Sequence, residues 1–425
     1  MSQVRNSQTV DSEGTVQREK YHLAEKLLNC AGSVSSWAGL PWTDLDPGRL
    51  MESAQRATKL EDYGNGAFEE GLVRTLAESR GRFTPLGTMV LRNLLHKALE
   101  NRLRVTDYLK RHPEVLNLPI RRPIIILGFP RSGTTLLQNL LAATDDRAPL
   151  EFWELISVTP VNESDPQADR EARVKSLNRL LRVTEFFVPE LNKIHESSAT
   201  SPEEDWQLLA STFRILSFGF AYGLEEYERW LFEQADMTQA YSEFKRMLQI
   251  IQHQRPRGQL VLKCPDHLWF LDSLMEVFPD ACIVQTHRDP MQCIASYTSM
   301  ISLQERTLTG KIDWQALARR TTEHFLAGAR RAHAVRMIHG SRRIFDVNFE
   351  DLVRDPAETV RRISGHFGLE TPRQKAVQAT LNQSRTDRPG AHRYSHDRLG
   401  LDPDEIQRLF SQYAVSSEVE VRAAG

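Results

Sequence analysis

Residues 128 to 135 read GFPRSGTT and place two glycines and three hydroxyl side chains in one short segment. The segment follows the apolar run IIIL and precedes TTLLQNLLA, so it joins a predicted strand to a predicted helix. Glycines let backbone N–H groups approach an anion, and a helix start offers unpaired N–H donors at the positive end of its dipole. The segment therefore predicts a phosphate site formed by Ser132, Gly133, Thr134 and Thr135.

This loop departs from the phosphate loop of nucleoside-triphosphate enzymes at one position. That pattern has a lysine after its second glycine, followed by a Ser or Thr that binds magnesium. Here Thr134 follows Gly133, and the nearest cation is Arg131, inside the loop. Its guanidinium would direct positive charge at whatever bridges the bound phosphate to a transferring group.

A second anion-binding pattern lies in THRDPMQCIASY, residues 286 to 297. Arg288 ends a predicted strand, Pro290 suits the first turn of the next helix, and Ser296 lies about two turns into that helix. Arg288 and Ser296 would converge on one anion, close to the first loop if the two strands are neighbours. The alternative is an Arg288–Asp289 pair with an exposed Ser296. Together, the two patterns predict a ligand with two separate phosphate groups.

FPRSGTT and HRDPMQCIASY resemble the nucleotide-binding motifs of sulfotransferases that use 3′-phosphoadenosine 5′-phosphosulfate (PAPS). The resemblance to the bacterial type of this family extends from about residue 122 to 370 and includes LVLKCPDHLWFLDSLMEVFPDACIVQTHRDP and VNFEDLVRDPAETVRRISGHFGL. It implies a P-loop-type parallel sheet, sulfuryl transfer from PAPS and no metal ion.

The resemblance also implies a role for each matching position. Arg131 would contact the sulfate and the bridging oxygen. The other implied nucleotide ligands are Ser132, Gly133, Thr134 and Thr135 in the first loop and Arg288 and Ser296 in the second motif. A later basic segment, RPGAHRY, implies a loop over the 3′-phosphate, with Arg393 as its ligand and Arg388 and His392 as alternatives.

Sulfuryl transfer also needs a base that takes the proton of the attacking hydroxyl or amine. Many family members use the histidine of a Lys-x-His-x-Pro pattern, of which LKCPDH holds only a part. The members that act on protein tyrosines resemble this chain in having a glutamate about twenty residues after the loop. This implies Glu151 as the base, with Glu154 second, and Lys263 beside the leaving oxygen. The alternative for Glu151 is a surface carboxylate at a helix start, and the alternative for Lys263 is a solvated lysine. His267 could also approach the acceptor, and its alternative is a structural residue in the first turn of a helix.

Two other functions stay open from the sequence. A P-loop kinase or nucleoside triphosphatase would share the glycine loop, and magnesium dependence would distinguish it. A non-catalytic nucleotide-binding protein would bind nucleotide without forming product. For a transferase, the aromatic residues between 151 and 257 favour a small or lipid acceptor over a polysaccharide.

The elements that must position these residues follow an α/β pattern. We expect an N-terminal helical region at residues 1–118. The sulfotransferase domain is expected at residues 119–425, with a helical insertion at about 151–257. Apolar runs predict buried parallel strands. They lie in RRPIIILGF, in QLVLKCP (259–265), in ACIVQTHRDP (281–290) and in RRIFDVNFED (342–351).

Composition limits the classes of protein to which the chain could belong. With 54 basic and 56 acidic residues, the chain has no overall charge that favours nucleic acid or an anionic membrane. There is neither a run of apolar residues long enough for a transmembrane segment nor an apolar N-terminal signal, so a cytoplasmic protein is expected. Cys30, Cys264, Cys282 and Cys293 have no metal-site or disulfide spacing. The oligomeric state is not readable from one sequence.

Overall fold

The computed structural model describes Asn29 and residues 43–187, 198–340, 342–386 and 396–422. Within these ranges, five parallel strands form one sheet in the spatial order β2-β3-β1-β4-β5. The strands are β1 Ile124–Gly128, β2 Arg147–Pro149, β3 Gln259–Lys263, β4 Cys282–His287 and β5 Ile344–Asn348. The predicted α/β fold with a parallel sheet is confirmed.

The central strands are apolar because helices cover both faces of the sheet. Every residue of β1 is buried, and so are the last four residues of β3. The sequence pattern located β1, β3, β4 and β5 but missed β2. That strand has only three residues, RAP, and its proline is tolerated because β2 lies at the edge of the sheet.

The described part of the N-terminal region is helical. Its helices are α1 Pro47–Thr58, α2 Phe68–Ser79 and α3 Pro85–Arg111, followed by a 3₁₀ turn at Pro113–Asn117. Asp46 and Thr84 cap α1 and α3 by accepting hydrogen bonds from backbone N–H groups, and a proline follows each cap.

The described residues between β2 and β3 are mostly helical. Its helices are α5 Phe152–Ile156, α6 Pro166–Phe187, α7 Trp206–Ala210, α8 Leu216–Tyr222, α9 Glu225–Glu233 and α10 Met237–Gln254. Residues of α3 and α10, including Leu95, Leu99 and Phe244, belong to one hydrophobic core. A Cβ on Gly71 would lie 2.0 Å from the carbonyl oxygen of Phe213, so α2 packs directly against the insertion.

The remaining helices lie between the strands or after the sheet. They are α4 Thr134–Leu141, α11 Leu271–Val277, α12 Pro290–Thr309, α13 Trp314–His339, α14 Phe349–Arg354, α15 Pro356–Phe367, α16 Gln374–Thr386, α17 His396–Leu399 and α18 Pro403–Arg422. Helices α4 and α12 each follow one of the adjacent strands β1 and β4. This arrangement brings the two predicted anion-binding segments to the same edge of the sheet.

Candidate active site

The first predicted segment forms a tight loop between β1 and α4. Gly128 has a φ of 145°, and a Cβ there would lie 2.3 Å from Thr286 Oγ1 and 2.6 Å from the Thr286 carbonyl oxygen. Gly133 has a φ of 94°, and its Cβ would lie 2.9 Å from the ring of Phe349. Both positions therefore require glycine, for backbone conformation and for space.

The start of α4 is uncapped by any side chain. Gly133 is the N-cap and has no side chain to cap the N–H groups of the first turn. Thr134 is buried, with 5% of its surface exposed, whereas Thr135 is exposed at the helix start. Unpaired N–H donors, an exposed hydroxyl and the helix dipole together favour a negatively charged group at this end of α4.

Two hydrogen bonds join the first loop to the second predicted segment. Arg131 Nε donates to Ser296 Oγ of α12 at 3.1 Å, and Arg288 Nη1 donates to the Arg131 carbonyl oxygen at 2.8 Å. Arg288 also donates to Gln292 Oε1 at 2.9 Å and lies 4.1 Å over the ring of Phe349. The structure therefore brings Arg131, Arg288 and Ser296 together, although 157 residues of chain separate the two arginines.

The alternative for the second segment, an Arg288–Asp289 pair and an exposed serine, is wrong. Ser296 is buried, with 7% of its surface exposed. Asp289 instead caps α12, and its carboxylate accepts a hydrogen bond from the backbone N–H of Gln292 at 3.1 Å.

Thr286 is a structural residue of the loop that the sequence did not single out. Its Oγ1 lies 2.6 Å from Ser132 Oγ, and Thr286 is aligned with Gly128 in the β1–β4 ladder. Ser132 also donates to the carbonyl oxygen of Phe129 at 2.5 Å. The hydroxyl of Ser132 thus holds the loop in shape, and it is 1% exposed. The signal was weak because a threonine within a buried strand is usually read as a β-former.

Lys263, at the end of β3, is buried rather than solvated. Its side chain is 1% exposed, and its Nζ lies 3.0 Å from Glu204 Oε1. Burial alone would lower the pKa of Lys263, but the charges of Glu204 and Glu203 outweigh it and raise that pKa. Lys263 is therefore a charged ammonium group held by residues 203–205, the acidic segment of the insertion.

Glu151 lies just after the edge strand β2, as the N-cap of α5. Glu151 and Glu154 form a reciprocal capping box at this helix start. Glu151 Oε2 accepts a hydrogen bond from Trp153 Nε1 at 2.6 Å and from Arg170 at 3.3 Å, and its Oε1 accepts from Arg255 at 3.4 Å. Both carboxylate oxygens thus have partners.

Glu154, the second candidate base, is buried with 2% of its side chain exposed. Burial by itself would raise the pKa of Glu154, but the hydrogen bonds and charge of Arg257 outweigh it and lower the pKa. Arg255 also lies 3.2 Å from this carboxylate. Glu154 is thus an ion-pair partner that fixes the start of α5.

His267 is fully buried in the 3₁₀ turn after β3, Pro265–Leu268. Its Nδ1 lies 2.9 Å from the hydroxyl of Tyr241, and its Nε2 lies 2.9 Å from Asp205 Oδ1. The interpretation of His267 as a structural residue agrees with this position. Arg388, His392 and Arg393, predicted over the 3′-phosphate, lie outside the described residues.

The described residues contain no cluster of three His, Cys, Asp or Glu side chains that would suit a metal ion. Cys264, Cys282 and Cys293 are buried free thiols, and Cys30 lies outside the described ranges. Of the helices in those ranges, none combines the length and the apolar character of a membrane-spanning helix.

Comparisons with known proteins bear on the family and the fold of this chain. The family model described as "Sulfotransferase family" matches residues 123–373. Sulfotransferase STF1 from Mycobacterium tuberculosis superposes with a TM-score of 0.76 at 30% identity, covering 86% of this chain and 98% of that one. Sulfotransferase STF9 from Mycobacterium avium gives a TM-score of 0.74 at 27% identity, covering 87% of this chain and 96% of that one.

A curated relative from Mycobacterium bovis is named omega-hydroxy-beta-dihydromenaquinone-9 sulfotransferase Stf3. It is 25% identical over 269 residues, which are 58% of this chain and 63% of the relative's length. The family match includes β1, the loop at residues 128–135, Lys263, Arg288 and Ser296, and it spans more than half of the chain. The chain therefore belongs to the sulfotransferase family.

Proposed function

We propose that this chain transfers a sulfuryl group from PAPS to a hydroxyl group of a small or lipophilic acceptor. The products would be a sulfate ester and adenosine 3′,5′-bisphosphate. The observation that carries the proposal is the contact between the two anion-binding segments, in which Arg131 bonds to Ser296 and Arg288 bonds to the Arg131 carbonyl. One nucleotide with phosphates at both its 3′ and 5′ positions would occupy both segments.

The residues present fit such a nucleotide. The uncapped start of α4 and the exposed Thr135 would hold the 5′-phosphate. Arg288 Nε is buried without a hydrogen-bond partner in the described structure, and the same guanidinium with Ser296 would hold the 3′-phosphate. Arg131 would contact the bridging oxygen, where negative charge develops. PAPS supplies the activated sulfuryl group.

A lipophilic alcohol is the proposed acceptor class. The name of the mycobacterial relative gives it a hydroxylated menaquinone as substrate, and the match to that relative includes only part of its length. The insertion of the present chain supplies apolar and aromatic residues next to the end of β3. Phe218, for example, is in ring contact with both Trp206 and Tyr222.

The proposed catalytic residues are Arg131, Lys263 and Glu151, as the family resemblance implies. Sulfuryl transfer is a loose in-line displacement, so these residues would position the reactants, stabilise charge and accept a proton. Of these three residues, Lys263 has a partner, Glu204, that suggests a more specific role for the lysine in the reaction.

Calorimetric titration with adenosine 3′,5′-bisphosphate and with ATP, each with magnesium and with EDTA, tests the donor site. We expect binding of the bisphosphate that is unchanged by EDTA, and little binding of ATP. ATP binding that depends on magnesium would contradict the proposal and favour a P-loop kinase. Incubation with ³⁵S-labelled PAPS and separated lipid, small-molecule and glycan extracts then tests the acceptor class, which is wrong if only glycans take up label.

A further inference from the structure

An acidic segment of the insertion docks onto the ends of β2 and β3. The backbone N–H of Glu203 donates to the Leu150 carbonyl at 3.3 Å, and that of Asp205 donates to the Lys263 carbonyl at 3.3 Å. In return, the Lys263 N–H donates to Asp205 Oδ2 at 2.9 Å. These contacts fix the backbone on both sides of Glu204 and place its carboxylate at the end of β3.

Glu204 meets Lys263 in an asymmetric ion pair. The distance from Nζ to Oε1 is 3.0 Å, with 1% of the lysine side chain and 27% of the glutamate side chain exposed. The ammonium group is buried, while the carboxylate still reaches solvent. This is the arrangement of a base that is ready to accept a proton and able to release it afterwards.

The pair lies close to the predicted point of transfer. Lys263 is aligned with Ile126 of β1, two residues before the phosphate loop begins. Tyr297 directly follows Ser296, the partner of Arg131. Burial raises the pKa of Tyr297, and the charges of Asp266 and Glu204 raise it further.

Glu151 is placed differently. Its two carboxylate oxygens are bound by Trp153, Arg170 and Arg255, next to the outer edge strand of the sheet. A cavity at this edge is lined by Glu151, Pro202, Arg255 and Arg257. To act as a base, Glu151 would have to exchange these partners for the acceptor.

We propose that Glu204, in place of Glu151, is the base of the transfer and that Lys263 holds the Glu204 carboxylate in position. The inference rests on the proposed function. The acceptor oxygen forms a bond to the sulfur of the donor while its proton passes to the Glu204 carboxylate. The bond between sulfur and the bridging oxygen breaks, and its electron pair stays on the 5′-phosphate, next to Arg131. Glu204 then releases its proton to solvent.

The test compares acceptors that differ in their need for a base. The full-length wild type and the variants Glu204→Gln, Glu204→Asp and Glu151→Gln are incubated with ³⁵S-labelled PAPS. The three acceptors are 1-dodecanol, water and 4-nitrophenol, of which the last is largely ionised near pH 8. The surface variant Glu226→Gln serves as a control, because its partner Arg229 is exposed.

We expect Glu204→Gln to slow transfer to dodecanol and to water by roughly 10²- to 10³-fold, and transfer to 4-nitrophenol by less than about 10-fold. Glu204→Asp should recover part of the lost rate, and Glu151→Gln should affect all three acceptors equally. An unchanged affinity for adenosine 3′,5′-bisphosphate and an unchanged Tm would show that the variants are folded.

Acceptor-dependent loss in Glu151→Gln, with Glu204→Gln near the wild-type rate, would overturn the inference. An equal loss for all three acceptors in Glu204→Gln would also overturn it, because that result indicates a structural role. A wild type that does not bind the bisphosphate would instead contradict the proposed function, so the two failures are distinct.

Discussion

Arg131 holds a backbone conformation that residues other than glycine rarely adopt, with a φ of 73°. Such strain persists only where surrounding contacts fix it, and it is frequent at functional sites. Here the carbonyl of Arg131 is bound by Arg288, and its side chain donates to Ser296. The strained residue therefore links the two segments that are predicted to bind anions.

At the same scale, Arg288→Ala tests the assignment of the 3′-phosphate. Loss of one charge-assisted contact should weaken binding of adenosine 3′,5′-bisphosphate by about 2 kcal/mol, or roughly 30-fold in Kd. Binding of adenosine 5′-phosphate, which has no 3′-phosphate, should change little. Calorimetry with both nucleotides measures the difference.

Arg361→Ala is the matched control for Arg288→Ala, because Arg361 is 65% exposed and pairs only locally with Glu358. It should leave both affinities unchanged. An equal loss for both nucleotides in Arg288→Ala would mean that this arginine supports the loop through the Arg131 carbonyl rather than binding the 3′-phosphate.

At the scale of elements, the site depends on how closely β1 and β4 approach each other. Gly128 and Thr286 are aligned in the ladder, and Thr286 Oγ1 lies where a side chain on residue 128 would have to go. The hydroxyl pair of Ser132 and Thr286 then holds the loop against β4. Loop shape is thus set by a neighbouring strand as well as by the loop residues.

Gly128→Ala should therefore damage the loop. Its Cβ would meet backbone and side-chain atoms of Thr286 at 2.6 and 2.3 Å, and the φ of 145° adds strain. We expect a loss of stability of about 1–3 kcal/mol and loss of most nucleotide binding. Thermal unfolding and calorimetry measure the two effects.

Gly365→Ala provides the comparison for this variant. Gly365 lies in α15, where a Cβ would have open space and no unusual φ. Its replacement should be neutral or stabilising by up to about 1 kcal/mol. If Gly128→Ala behaved like Gly365→Ala, the tight contact between the loop and β4 would be unimportant.

At the scale of the whole molecule, a half-buried and a buried carboxylate connect separate elements. Asp346 of β5 binds His287 of β4 at 2.6 Å and Arg336 of α13 at 2.6 Å. Glu154 of α5 binds Arg257, just before β3. Burial would raise the pKa of each carboxyl group, but the hydrogen bonds from these partners outweigh it and lower both pKa values.

These shifts predict acid sensitivity. A carboxyl group whose folded-state pKa is lowered stabilises the fold above its ordinary pKa, here 3.8 for Asp346 and 4.5 for Glu154. That stabilisation is lost as the pH falls through the folded-state value. We expect Tm to fall by several degrees between pH 5 and pH 3, measured by thermal unfolding.

Asp346→Asn isolates one of these groups. It should be less stable at pH 7, by about 1–3 kcal/mol, because Arg336 loses a charged partner. It should also lose less stability than the wild type on acidification, since it has no carboxyl group to protonate. An Asp346→Asn variant with the same pH dependence as the wild type would show that this pair does not contribute to acid sensitivity.

Much of the fold could be predicted because its signals are local. The isoleucines of β1, the glycines of the loop and Pro290 at the start of α12 each indicate their element without reference to the rest of the chain. β2 could not be predicted, since three residues at a sheet edge carry no periodicity. The N-terminal helical region and the sulfotransferase domain also share one hydrophobic core, to which α3 and α10 both contribute. Contacts between these two regions are not visible in a sequence.

The sequence by itself determined the kind of site: a glycine loop without a Walker lysine, Arg131 within it, and an Arg288–Ser296 motif on another strand and helix. Residue types and short spacings are sufficient for that inference. Only the tertiary structure decided which carboxylate lies beside which cation. Lys263 and Glu204 are 59 residues apart, and they meet because the acidic segment docks onto the end of β3. Glu151 follows the edge strand β2, where Arg170 and Arg255 bind its carboxylate. For both glutamates, the order of the strands in the sheet determines which side chains become neighbours.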